Sequence, residues 1–125
     1  MAARILYIED NVGNRALVKR ILEAEGYSVE EAVDGPSGLK MAAEKQFDLI
    51  LLDINLPEID GYDLARRLRS MPNLQSVPIL AVTANVMQGD RERTLAAGCN
   101  GYIQKPIDVD RLPDQVNAAL QKGRT

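Results

Sequence analysis

Five short apolar runs alternate with five stretches of helical spacing along this chain, and that alternation limits the fold more than any other feature. The runs fall at residues 4–8, 27–32, 48–53, 78–82 and 101–104. Between the first two, residues 12–25 place Leu17, Val18, Ile21 and Leu22 on one helical face. Gly26 follows, at the left-handed position that ends many helices. Pro36 opens a second helix in its first turn, with Leu39, Ala42 and Ala43 facing inward. Further helices are predicted at about 61–70, burying Leu64 and Leu68, at about 87–97, before Gly98, and in the last segment to about 121. Strands in strict alternation with helices, joined by short links, make a parallel sheet covered on both faces, with right-handed crossovers. For five strands the expected form is a doubly wound α/β sheet of flavodoxin-like order 2-1-3-4-5. Its crevice lies at the carboxyl ends of the strands.

The central run, Leu49-Ile50-Leu51-Leu52, reads as a strand buried on both faces, and Asp53 closes it. An acid at that end faces the crevice, and the other strands send it company. Glu9-Asp10 follows the first strand, Thr83-Ala84 the fourth and Lys105-Pro106 the fifth. In a parallel sheet these all emerge at one edge. Two carboxylates about 5 Å apart repel by about 3 kcal/mol at an effective dielectric of about 20. Lys105 offsets part of that among Glu9, Asp10 and Asp53, and a divalent cation would offset the rest. An all-oxygen donor set with room for water suits Mg2+. Magnesium beside a carboxylate, a hydroxyl and an ammonium group is equipment for phosphoryl transfer, with Asp53 as the nucleophile that becomes an aspartyl-phosphate.

Composition narrows the rest. The chain has 125 residues, 46% hydrophobic and 26% charged, which is expected to form one domain spanning residues 1–125. A net charge of −3 without a basic stripe argues against nucleic-acid binding. There is no histidine, which excludes Ser-His-Asp and Cys-His catalysis and histidine-ligated zinc. The chain therefore cannot carry a phosphohistidine of its own. Cys99 is the single cysteine, so no internal disulfide forms, and it is expected to be a small residue near a helix end. No signal-like or membrane-spanning stretch is visible, which gives a cytoplasmic expectation. Gly35-Pro36-Ser37-Gly38-Leu39-Lys40 lacks the spacing of a phosphate loop and is read as ordinary helix.

Four stretches together resemble the receiver domains of two-component response regulators: Ile8-Glu9-Asp10-Asn11, Leu51 to Pro57 with Asp60-Gly61-Tyr62 after it, Ala81-Val82-Thr83-Ala84, and Gly101 to Pro106. They occur in that family's order and spacing and cover essentially the whole chain. The resemblance implies that Asp53 is the phosphoacceptor, with Asp10, Asp53 and the backbone carbonyl of Asn55 ligating Mg2+ and Glu9 acting through a bound water. It implies that Lys105 pairs with the phosphoryl group and Thr83 hydrogen-bonds it. Tyr102 matches an aromatic switch that turns inward as Thr83 moves, and Pro106 follows a cis peptide bond. The side chains of Asn55 and Asn85 stand where the family places groups that influence hydrolysis of the aspartyl-phosphate. The implied donor is a histidine kinase or a histidine phosphotransfer protein. The implied output is a downstream protein reading the face of the fourth helix, fifth strand and fifth helix, or onward relay of the phosphoryl group.

These features favour a stand-alone, phosphorylation-controlled module that modifies itself and turns over no external substrate. A phosphatase of the haloacid dehalogenase type is the competing enzyme, since Asp53-Ile54-Asn55 faintly matches its Asp-x-Asp, but Asn55 cannot serve as the second acid. A flavin carrier would need a phosphate site where the acids stand. Arg91, Arg93, Asp114 and Gln115 on the last two helices are read either as partner contacts or as solvated residues. Pro113 makes a separate prediction. A helix capped at Asp108 would have its carbonyl ladder crowded at Val109, so the regular helix is expected to begin near Asp110, with 107–110 irregular.

Overall fold

The computed structural model describes residues 3–56, 59–84 and 88–123. Its elements are β1 (Arg4–Ile8), α1 (Val12–Ala24), β2 (Ser28–Ala32), α2 (Gly35–Glu44), β3 (Leu49–Asp53), α3 (Gly61–Arg69), a 3₁₀ turn (Pro72–Leu74), β4 (Ile79–Thr83), α4 (Gln88–Ala96), β5 (Gly101–Gln104) and α5 (Leu112–Gly123). The five strands pair in parallel in the order β2-β1-β3-β4-β5, as the alternation predicts.

Two apolar layers sandwich the sheet. Leu6, Ile8, Ile50, Leu52, Ile79 and Ala81 face α2 and α3. Ile5, Tyr7, Leu49, Leu51, Leu80 and Val82 face α1 and α5. Neighbouring residues of one strand enter opposite layers because the strand repeat is two. The whole of β3 is buried, and Leu49, Ile50, Leu51 and Leu52 have no exposed surface. Each such side chain contributes about 1.5–3 kcal/mol of burial, so the register that places Asp53 is strongly held. The pairing Asp53↔Val82 and Thr83↔Gln104 then brings the ends of β3, β4 and β5 level.

Local chemistry sets the helix ends. Asn11 caps α1 by accepting the Asn14 N–H, Asp34 caps α2 at Ser37, and Asp60 caps α3 at Tyr62. Gly26 has φ +93°, as its place after α1 requires. α2 departs from the sequence expectation, because Ala43 is exposed. The buried line is Gly35, Gly38 and Ala42. At Gly38 the helix backbone lies so close to Ile8 that a Cβ would come within 2.5 Å of Ile8 Cδ1. This approach aims the narrow glycine face at the sheet and turns Ala43 away.

The last helix starts two residues later than predicted. Asp108 forms its own turn, accepting the Asp110 and Arg111 N–H groups on its side chain and the Leu112 N–H on its carbonyl. The regular helix begins at Leu112, which puts Pro113 at its second position, where no N–H bond is owed. Among the described residues, no helix is long and apolar enough to cross a membrane.

Candidate functional site

Three carboxylates meet at the carboxyl edge of the sheet. One oxygen each from Glu9, Asp10 and Asp53 lies within 4.8 Å of the other two. Glu9 and Asp53 are buried, at 0% and 2% exposure, and Asp10 is exposed to solvent. Burial of two acids is tolerated because each has partners in place. Asp53 Oδ1 accepts the Asn55 backbone N–H at 2.9 Å, closing a tight turn just past β3. Lys105 Nζ stands 3.2 Å from Asp53 Oδ2 and 3.5 Å from Glu9 Oε1. One ammonium group thus bridges the two buried acids, leaving the cluster a net excess of negative charge open to solvent through Asp10.

That donor set fits a small, hard divalent cation. It offers oxygens alone, it includes an exposed carboxylate beside a buried one, and its single lysine leaves part of the repulsion uncompensated.

The structure brings the other sequence-predicted residues to the same edge. Thr83 ends β4 and is buried at 3% exposure. Its carbonyl accepts the Lys105 backbone N–H at 2.8 Å, so the loops after β4 and β5 are tied beside the acids. The Lys105-Pro106 peptide is cis. The Asn55 side chain is exposed beyond Asp53. Tyr102 is half-buried on the α4 side of β5. Asn85, read from sequence as a neighbour of the acceptor, lies outside the described residues.

Several participants are invisible to motif reading. Tyr7, fully buried, donates its hydroxyl to Glu9 Oε1 at 3.0 Å. Burial, with the Glu9 charge next, holds its phenol far above the usual range. The Asn14 amide reaches the same Glu9 oxygen at 3.1 Å. Arg15 donates to the carbonyls of Glu9 and Asp10, both at 2.9 Å, and so holds the turn that carries the acids. Arg91 donates to the Tyr102 hydroxyl at 2.8 Å, with its guanidinium 5.4 Å from the ring centre. Arg93 stacks over Tyr62 at 4.3 Å. Both arginines therefore engage aromatic rings of their own chain. Asn14 had a usable signal, since the first turn of α1 must pass over the acids. Tyr7 had none, because an aromatic residue in an apolar strand reads as core.

Comparison with known proteins agrees with this geometry. The chain matches the family model described as the response regulator receiver domain over residues 5–117. It is 38% identical over 120 residues to the polar-differentiation response regulator DivK of Brucella anthropi, a match covering 96% of this chain and 98% of that one. The receiver domain of the sensor histidine kinase PA1611 from Pseudomonas aeruginosa superimposes with a TM-score of 0.88 at 37% identity, covering 97% and 99% of the two chains. That crystal structure has a magnesium ion coordinated in its active-site cleft. The chemotaxis protein CheY4 of Vibrio cholerae superimposes with a TM-score of 0.91 at 28% identity, over 95% and 99%. With the fold, the acidic edge and the family match in agreement, the chain belongs to the response regulator receiver family, the phosphoacceptor domains of two-component signalling.

Proposed function

We propose that Asp53 is the phosphoacceptor of this receiver, and that residues 1–125 act as one receiver domain. The observation that carries the reading is the Lys105 ammonium 3.2 Å from the buried Asp53 carboxylate, inside a cluster of three acids. With Oδ1 engaged by the Asn55 N–H, Oδ2 is the oxygen we assign to form the new bond. It attacks the phosphorus of a phosphohistidine on a histidine kinase or phosphotransfer protein. An O–P bond forms, the P–N bond breaks, and the imidazole leaves with that electron pair and takes up a proton.

Each residue then has a physical task. Lys105 moves from the bare carboxylate to the phosphoryl oxygens, which present more negative charge. Thr83 donates its hydroxyl to the same group. Asp10 and Asp53, with the Asn55 carbonyl, would hold Mg2+, and Glu9 would reach it through a water. Bound there, the cation supplies neutralisation of the charge that develops on the transferring phosphoryl oxygens.

The output follows from the tie between the two loops. Drawing Thr83 toward the phosphoryl group pulls on the β4 and β5 ends together, because the Thr83 carbonyl holds the Lys105 N–H. Tyr102 sits next to this tie and turns inward as Thr83 shifts. The face of α4, β5 and α5 is the one a downstream protein reads, with two clefts beside β5 supporting that assignment. One has a volume of about 670 Å³ and runs between β5 and α5 to the amino end of the sheet, lined by Tyr102, Ile103 and Ala119 and there by Arg69 and Asn100 among others. The other, about 340 Å³, is lined by Tyr102, Lys105, Asp108 and Arg111 among others. We place the domain in the cytoplasm, where such kinases present their phosphohistidines, and assign it no nucleic-acid partner and no substrate beyond its own acceptor.

Transfer of a radiolabelled phosphoryl group from a phosphorylated histidine phosphotransfer protein tests this reading. Label is expected on the wild type in the presence of Mg2+, and not on Asp53→Asn. Label of equal intensity on Asp53→Asn would overturn the assignment.

A further inference from the structure

Glu9 has two oxygens in unequal surroundings. Oε1 receives the Tyr7 hydroxyl at 3.0 Å and the Asn14 amide at 3.1 Å, and faces Lys105 Nζ at 3.5 Å. Oε2 meets, among the described residues, the Asn11 backbone N–H alone, at a long 3.4 Å. A carboxylate offers about four lone-pair sites, so Oε1 is close to saturated and Oε2 is left able to accept more.

The two donors come from different elements. Tyr7 lies in β1 and Glu9 one residue past its end, where the Glu9 N–H still bonds the Ala32 carbonyl of β2, so the two side chains, two residues apart, leave the same face of the sheet. Its ring packs in the layer beneath α1 and α5, and only the hydroxyl reaches the polar edge. Asn14 comes down from the first turn of α1, whose start is held by the Asn11 cap. One donor approaches Glu9 from the core and the other from the helix, which stops the carboxylate from rotating. A phenylalanine would fill the Tyr7 space as well, so the hydroxyl calls for a reason beyond packing.

We propose that Tyr7 and Asn14 are positioning residues for the cation site: they hold Glu9 by Oε1 so that Oε2 stays turned toward the water shell of the divalent cation. The proposal rests on the reading of this edge as a Mg2+ site. It also separates the tasks of Lys105. With two neutral donors on Oε1, the ammonium group is less strongly retained by Glu9 and is freer to follow the phosphoryl group. Donors behind a metal-facing ligand commonly change affinity by tenfold or more when lost.

The test is a double-mutant cycle read as Mg2+ affinity, by titrating the metal against backbone amide shifts in the absence of any phosphoryl donor. Tyr7→Phe keeps the ring and removes one oxygen. Asn14→Ala, on a half-exposed position, is an independent variant that leaves the core untouched. Each is expected to weaken Mg2+ binding by about tenfold, the lower end of that range because Glu9 acts through water. In a Glu9→Gln background, where Asp10 and Asp53 remain to bind the metal, each is expected to add less than a twofold change. Equal losses in both backgrounds would mean a general structural effect and would overturn the proposal, as would unchanged affinity in both single variants. If the wild type itself fails to bind Mg2+, the reading of the site falls first, and this outcome is distinct from a wild type that binds and variants that bind equally well.

Discussion

The two ends of the sheet each hold a partly buried cationic side chain, and the two are held in opposite ways. At the amino ends of β4 and β5, Arg69 donates to the carbonyls of Gly98, Leu74 and Val77 and to the Asn100 side chain, with Gln75 at longer range. Its partners are neutral and come from two connections, the one from α3 to β4 and the one from α4 to β5, which it fastens together. Burial lowers its pKa without a carboxylate to oppose that. At the carboxyl ends, Lys105 faces two buried acids at 3.2 and 3.5 Å and belongs to a cluster with a third. Arginine's planar fork suits the first task, and lysine's compact charge on a flexible stem suits the second. One end is saturated and serves to hold. The other is short of positive charge and is built to receive it.

Breaking each cation should separate the two roles. Lys105→Met keeps most of the stem and removes the charge. Phosphoryl uptake per folded molecule is expected to fall on the order of a hundredfold, the scale of losing one preorganised charge-stabilising donor. Quench-flow or radiolabel rates would measure it, and a change of less than threefold would remove Lys105 from the transfer step. Arg69→Ala is expected to lower stability by about 3 kcal/mol, because several partly buried carbonyls lose their donor. Its uptake rate per folded molecule should stay within about twofold of wild type, as the two sites share no partners. A large loss of rate with stability intact would show that the amino end is more than a fastening.

Removing an acid should have the opposite sign from removing Arg69. Without divalent cation, Asp53→Asn relieves repulsion from Glu9 and Asp10 but gives up the Lys105 pairing. The net expectation is a gain of about 1 kcal/mol in urea unfolding, and a smaller response to added Mg2+ than the wild type shows. A loss of stability would mean that the cluster is already balanced.

Cys99 reports on the amino end with the smallest effect. Burial pushes its thiol up to about 11, with Arg69 pulling weakly the other way. The unfolded thiol ionises near 9 while the folded one keeps its proton, so this contribution is present below pH 9 and is lost as pH rises toward 11. Alkylation of the native protein at pH 8 is expected to be slow, on the order of a hundredfold below the unfolded chain, and unaffected by Mg2+ or phosphorylation. Reactivity that rises on phosphorylation would show that the switch extends to this end.

How much of this was legible in the sequence depends on the range of the interaction responsible. The strand order and the convergence of Glu9, Asp10, Asp53, Thr83 and Lys105 follow from alternation and from residues adjacent to strand ends, both local signals. Ala43 was misplaced because the approach of Gly38 to Ile8 depends on how close a helix lies to the sheet. The start of α5 shifted because Asp108 builds a separate turn before it, a competition that Pro113 alone does not reveal. The Tyr7 and Asn14 donors and the Arg69 fastening were missed for one reason. Each joins residues by a polar tip carried on a side chain that otherwise reads as core or solvated surface.

The most direct test of the central claim is intact mass after incubation with Mg2+ and a small acyl-phosphate donor, for the wild type and Asp53→Asn side by side. The account predicts a single phosphoryl adduct on the wild type, absent from the variant and absent when the metal is chelated. An adduct that persists on Asp53→Asn would place the acceptor elsewhere and contradict the account.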